Sequence, residues 1–209
     1  THSISVDYGD TVQMVLLNMG KRKGWSHPIH LHGHSFYVVK IGYAQYYFHP
    51  HRFIKDNIDI DCRGNPDSSV SFCNNATWAN TTWLGGNVPG LVLKRPPRKD
   101  TIIVPTGSYV VIRLKADNPG LWNFHCHVDL HNVDGMQLLV NESFNKIPKP
   151  PVGFPMCWNF PSDYRSKIIS NTVDVNSWSA NSYRATIGVL AVNLVLPCFV
   201  YSVFVSIIG

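Results

Sequence analysis

Charge is what this sequence has least of: charged residues make up 15% of its 209 positions. With 44% hydrophobic residues beside them, that scarcity excludes a disordered chain and a solvated coiled coil. No basic cluster is longer than Lys21-Arg22-Lys23, and the remaining basic residues are scattered. The net charge of +5 therefore does not mark a nucleic-acid surface, and no nucleic-acid partner is expected. The chain also lacks an internal repeat, a convincing amphipathic helix and a signal peptide. It begins at Thr1 and reads as a piece of something longer.

What the sequence does hold is turn-forming and aromatic residues. Fourteen prolines, fifteen glycines and many tyrosines, phenylalanines and tryptophans favour short strands joined by turns. Residues 3–17 read as two strands broken at Tyr8-Gly9-Asp10, and residues 34–41 as a β-branched and aromatic strand. Further strands are expected at 100–104, 109–114, 121–126 and 136–140, the first two separated by a Pro-Thr-Gly-Ser turn. Between 42 and 98 lies a Gly/Pro/Asn-rich excursion, too long to be a loose loop in a compact domain. The pattern predicts an all-β antiparallel sandwich over 1–147, followed by a Pro/Ser/Asn-rich linker over 148–184.

Residues 185–209 form an apolar tail, uncharged from 186 onward. The stretch 187–208 is long enough to cross a hydrocarbon core of about 30 Å, despite Asn193 and Pro197. It is expected to hold the protein on a membrane, as a transmembrane segment or as the removable tail of a lipid-anchor signal. A buried core strand or helix is the alternative. Three Asn-x-Ser/Thr sequons, at Asn75, Asn80 and Asn141, fit a glycosylated protein of the secretory pathway. The expected location is the extracellular face of the cell membrane.

Ten histidines are the anomaly in the composition, and they cluster. One run reads His27-Pro28-Ile29-His30-Leu31-His32-Gly33-His34; the other is His125-Cys126-His127, followed by His131 and Met136. Successive strand residues point to opposite faces. His30 and His32 therefore share a face, as do His125 and His127, while Cys126 points the opposite way from its neighbours. Toward that opposite face, Cys126, His131, Met136 and His27 supply two imidazoles, a thiolate and a thioether. This is the ligand set of a blue-copper centre. The other face gathers His30, His32, His125 and His127 as two His-x-His pairs of neutral imidazoles suited to copper. His34 reads as a supporting or structural residue, and His2, His49 and His51 as surface histidines.

The runs HPIHLHGH and HCHVDLHNVDGM resemble the third and fourth copper motifs of multicopper oxidases, in the C-terminal cupredoxin (plastocyanin-like) domain. With NPGLWNFHCH and CNNATW, the wider sequence is most similar to animal laccase-like members. The resemblance implies a cupredoxin-like Greek-key β-sandwich. It assigns His27, Cys126, His131 and Met136 to type 1 copper, His30 to type 2 copper, and His32, His125 and His127 to the type 3 pair. Cys126 with His125 and His127 would form the electron path. The implied activity is oxidation of a small reductant (diphenols, aminophenols, ascorbate or ferrous iron) with dioxygen reduced to water. The family's trinuclear cluster takes eight histidines, and this chain supplies four of that kind. The rest would come from N-terminal cupredoxin domains of the same full-length chain, so the fragment alone is expected to be inactive. A ferroxidase needs acids near the type 1 histidines; the stretch 21–26 immediately before His27 holds none, while Asp129 and Asp134 lie near His131 in sequence. A blue-copper electron carrier would leave four histidines idle, and a copper-storage or structural surface protein would not need the His-Cys-His spacing.

The five cysteines divide unevenly. Cys126 is the candidate ligand. Cys62 and Cys73 lie inside the excursion and are expected to pair. Cys157 is left to pair with a partner outside the chain or to stay a buried thiol, and Cys198 falls in the apolar tail.

Overall fold

The computed structural model describes residues 2–19, 25–48, 52–63, 73 and 76–154, together with the backbone of 183–184, 190–195 and 200–208. The basic cluster 21–23, His49, His51, Asn75, Cys157, Cys198 and most of the 148–184 linker lie outside these residues. In chain order the strands are β1 (His2–Val6), β2 (Thr11–Asn18), β3 (His27–Leu31), β4 (Phe36–Gly42), β5 (Gln45–Tyr46) and β6 (Phe53–Lys55). There follow β7 (Ile60–Cys62), β8 (Ala76–Trp78), β9 (Arg98–Lys99), β10 (Thr101–Val104), β11 (Ser108–Lys115) and β12 (Gly120–Cys126). A short helix α1 (Asp129–Val133) precedes β13 (Gln137–Glu142), and β14 (Tyr183–Arg184), β15 (Leu190–Val195) and β16 (Val200–Ile208) complete the series.

The strands assemble into two main sheets, as the all-β expectation requires. One runs β10-β3-β12-β13-β1-β14 and the other β15-β16-β2-β11-β4-β9. Their facing sides build one core: Ile4, Ile29, Leu31, Phe124, Leu138 and Val140 from the first sheet meet Val12, Met14, Leu16, Phe36, Val110 and Ile112 from the second. Fully burying such a side chain contributes about 1.5–3 kcal/mol each.

The burial patterns show why the two sheets differ in sequence. In β13 buried and half-buried residues alternate, because only one face is covered. In β2 every residue from Val12 to Asn18 is buried. Its second face, with Val15 and Leu17, packs against Ile60, Ala76, Trp78 and Val88 of the excursion. The excursion is thus a second layer of core and not a loop. It carries the small hairpins β5–β6 and β7–β8 and is closed by the expected Cys62–Cys73 disulfide.

Of the apolar tail, the backbone of 190–195 and 200–208 is described. Its described backbone forms a hairpin, β15 with β16, and β16 runs antiparallel to β2 from Ser202↔Leu17 to Ile208↔Thr11. Among the described residues no helix is long and apolar enough to cross a membrane.

Candidate metal centres

Register brings the two histidine runs together. β12 pairs antiparallel with β3, setting His125 opposite His30 and Cys126 opposite Ile29. The His127 N–H donates to the Pro28 carbonyl at 2.7 Å, and the His32 N–H to the Asn123 carbonyl at 2.9 Å. In β3 the buried residues are His27, Ile29 and Leu31, so His27 turns into the sandwich and His30 out of it. This is the parity expected from the sequence.

On the inner side, His27, Cys126 and His131 bring one ligand atom each to within 4.8 Å of one another. Cys126 Sγ lies 3.6 Å from His27 Nδ1 and 3.7 Å from His131 Nδ1. Among the described residues this is the one group of three such donors that converges so closely. Cys126 and His27 are 0% exposed and Met136 is 1% exposed, with Met136 and Cys126 in the same core cluster. Between Cys126 and Met136 the chain forms α1, which turns His131 back toward the thiol. Two backbone bonds close this segment: Cys126 N–H to the Met136 carbonyl at 3.0 Å, and Met136 N–H to the His131 carbonyl at 2.9 Å.

The electrostatics of this group suit a soft metal. Burial, and next the neighbouring His131, lowers the His27 pKa from 6.5 to about 4, so its imidazole keeps a lone pair to offer. Burial pushes the Cys126 thiol upward, against a smaller lowering by the Val128 backbone N–H. The metal-free thiol is therefore protonated at neutral pH and releases its proton when a metal binds. Two imidazoles, a thiol and a thioether, three of the four buried and none a carboxylate, fit copper better than a hard cation.

On the outer side, His30, His32, His125 and His127 gather, the rings of His30 and His125 each lying 5.0 to 5.8 Å, centroid to centroid, from the other three. His30 Nδ1 lies 2.9 Å from both the Asp100 carbonyl and Thr101 Oγ1. His125 Nδ1 lies 2.9 Å from the Cys126 carbonyl. A proton on each Nδ1 would satisfy these oxygens and leave the Nε2 lone pair of both rings available to a metal. His32 Nε2 sits 3.0 Å from His125 Nε2. The His32 pKa is lowered, first by desolvation and then by His30, His125 and His127, which favours its neutral form.

Other histidines stand apart. His2 is exposed at the start of β1. His34 reaches Glu142, with His34 Nε2 2.8 Å from Glu142 Oε2 and both side chains at most 3% exposed. Glu142, which packs on His34 together with Trp122, carries no signal in sequence, whereas Trp122 and Asn118 fall within the NPGLWNFHCH run. Asp129 and Asp134 flank His131 at the two ends of α1 and are exposed.

A family model described as "Multicopper oxidase" matches residues 1–145. Laccase-6 of Arabidopsis thaliana is 34% identical over 165 residues, covering 75% of this chain and 22% of that protein. Laccase-3 of Oryza sativa subsp. japonica is 31% identical over 162 residues, covering 75% and 22%. Among solved structures, Fet3p, a multicopper oxidase that functions in iron import, is similar at 29% identity and a TM-score of 0.45, over 69% of this chain and 22% of that one. The laccase from Botrytis aclada is similar at 25% identity and a TM-score of 0.44, over 71% and 21%. The chain spans about a fifth of the length of the curated relatives it matches.

Proposed function

This chain belongs to the multicopper oxidase family, and from that premise we propose that it is the part of a laccase-like oxidase that takes electrons from a small reductant. Membership implies copper cofactors of types 1, 2 and 3. Bound copper would supply one-electron oxidation of a diphenol-type donor and reduction of dioxygen to water. The observation that carries the reading is the convergence of His27, Cys126 and His131 within 4.8 Å, beside buried Met136.

In this reading His27, Cys126, His131 and Met136 hold type 1 copper in a site closed by one sandwich. His30 holds type 2 copper, and His32, His125 and His127 hold the type 3 pair. Cys126 faces one donor set, and its peptide neighbours His125 and His127 face the other. The two sets are thereby joined through a few covalent bonds. The four outer histidines stand on an open sheet face, which N-terminal cupredoxin domains of the full-length protein would cover while supplying the remaining ligands.

Ferrous iron is the second substrate reading, and the exposed Asp129 and Asp134 on either side of His131 favour it. The test is oxygen uptake by the chain joined to its N-terminal domains, with a diphenol or Fe(II) as donor. A preference for the diphenol supports the laccase-like reading, and a preference for Fe(II) replaces it with a ferroxidase. Oxygen uptake with neither donor would overturn both.

The Cys62–Cys73 disulfide supports an oxidising compartment, and with the sequons a secreted or cell-surface glycoprotein. Asn80 is exposed and Asn141 half-buried, so Asn80 is the better glycan acceptor of the two. Attachment through the apolar tail is the extracellular-membrane reading, and the β15–β16 hairpin is its competitor. Release of the native protein by phospholipase supports a lipid anchor. Release by detergent alone supports a spanning segment, and a freely soluble native protein supports the hairpin.

A further inference from the structure

We infer that His34 and Glu142, linked through Asn118, form a buried brace that positions His32. The inference rests on reading His32 as a copper ligand. His32, like His127 and unlike His30 and His125, lies past the end of its strand. It follows the end of β3, is exposed, and sits in the turn between β3 and β4. His30 and His125 lie within strands, and each has its Nδ1 against a fixed oxygen. The direction of His32 therefore depends on its turn.

That turn is held from several sides. Glu142 ends β13 on its inward face and is 0% exposed. A carboxylate so buried is costly unless it is paired and hydrogen-bonded. One hydrogen bond reaches it, from the Asn118 N–H to Oε1 at 2.6 Å, and His34 Nε2 packs against Oε2 at 2.8 Å without hydrogen-bond geometry. The Asn118 side chain donates to the Gly33 carbonyl at 2.9 Å, and its own carbonyl accepts from Trp122 Nε1 at 2.7 Å. The Trp122 ring lies flush against Gly33, where an added Cβ would fall 2.4 Å from it, and Gly33 has φ +70°. His34 Nδ1 lies 3.3 Å from the His32 carbonyl. The residues after His32 are thus tied to β12 and β13, and its own N–H is tied to Asn123. Only the side-chain torsions of His32 are left to set. Partners that orient a metal ligand in this way are worth about 10–100-fold in metal affinity.

The test uses the full 209-residue chain titrated with Cu(II) alone. Copper on the histidine set is read by its EPR hyperfine pattern, and copper on the Cys126 set by the blue absorption. His32→Ala serves as the reference for loss of the ligand. His34→Leu combined with Glu142→Met removes the brace while keeping apolar packing. It should weaken Cu(II) on the histidine set by about 10–100-fold and leave the blue band and melting midpoint unchanged. His34→Gln, which can donate to Glu142, should restore most of the affinity. Asn118→Ala removes the tie to Gly33 without touching the pair and should weaken binding in the same direction, even if the double variant fails to fold. Wild-type affinity in both the double variant and Asn118→Ala, with His32→Ala impaired, would overturn the brace alone. Unimpaired binding by His32→Ala would overturn the ligand reading and the brace with it.

Discussion

Cys126 is where the proposal is most exposed to a single substitution. Serine keeps the volume but offers hard oxygen in place of a thiolate, a poor donor for a Cu(I)/Cu(II) couple. The Cys126→Ser protein should fold, with unchanged far-ultraviolet dichroism, and lack the intense visible band of the copper-loaded parent. A retained band would refute the type 1 assignment. Met136 is 1% exposed, and leucine replaces it at a cost below about 1.5 kcal/mol. Met136→Leu should keep the blue band and raise the potential in a redox titration, because a weak donor favouring Cu(II) is gone. A fixed or lower potential would show that Met136 is not the axial group. His27 yields a pH prediction for the metal-free protein. Its imidazole takes up a proton near pH 4 when folded and near 6.5 when unfolded. Between those values the unfolded chain binds more protons, so stability is lost as the pH falls through this window. The shift converts to roughly 3 kcal/mol as an upper bound. Urea midpoints measured from pH 7 to pH 4 should decline more steeply in the parent than in His27→Gln, and equal slopes would contradict the buried neutral imidazole.

At the scale of elements, strand alternation was enough to sort the histidines. His27 and Cys126 turn inward and His30 and His125 outward because β3 and β12 are regular to Leu31 and Cys126, and His32 and His127, one residue beyond those ends, join the outer set. The Cys62–Cys73 pairing was legible from the short spacing inside a long excursion. Other features were not. The hairpins β5–β6 and β7–β8 have strands of two or three residues, too short to show a period. α1 is a five-residue turn with no side-chain cap, so it has no start signal to find. Glu142 meets His34 only through the register of β13 with β12, which composition and spacing do not encode. The apolar tail is ambiguous by nature, since a long apolar run reads equally as a span or as buried strands. The disulfide strap can be tested directly. Its residues are 11 apart in sequence, and closing such a loop stabilises by about 3 kcal/mol through the unfolded chain. Replacing both cysteines by serine should lower stability by that order and speed amide exchange in β7 and β8. The blue band should persist, because the strap packs on the outer face of the second sheet, away from Cys126. Loss of the band in the double variant would show that the excursion shapes the copper site.

For the whole molecule, the decisive property is the different completeness of its two donor sets. His27, Cys126, His131 and Met136 all come from one sandwich, and three of the four are buried within it. No second domain is needed to close that site. His30, His32 and His127 stand on the outer face, and His125 beside them is 9% exposed. In the proposed reading, four rings shared among three coppers would give each metal about half of its imidazoles, on a face open to water. Affinity falls when ligands are few and the geometry is not preformed, so these coppers should bind weakly and exchange. The chain alone should therefore hold one copper firmly, with a blue band, and not sustain reduction of dioxygen. Supplying the N-terminal cupredoxin domains should raise the copper content and start oxygen uptake. Metal analysis after dialysis, run beside an oxygen-electrode trace with a diphenol donor, separates the outcomes. One retained copper and a flat trace fit the half-site reading. Sustained uptake by the purified chain would mean that its four outer histidines complete a working cluster by themselves, for instance across two copies of the chain, and the half-site reading would fall.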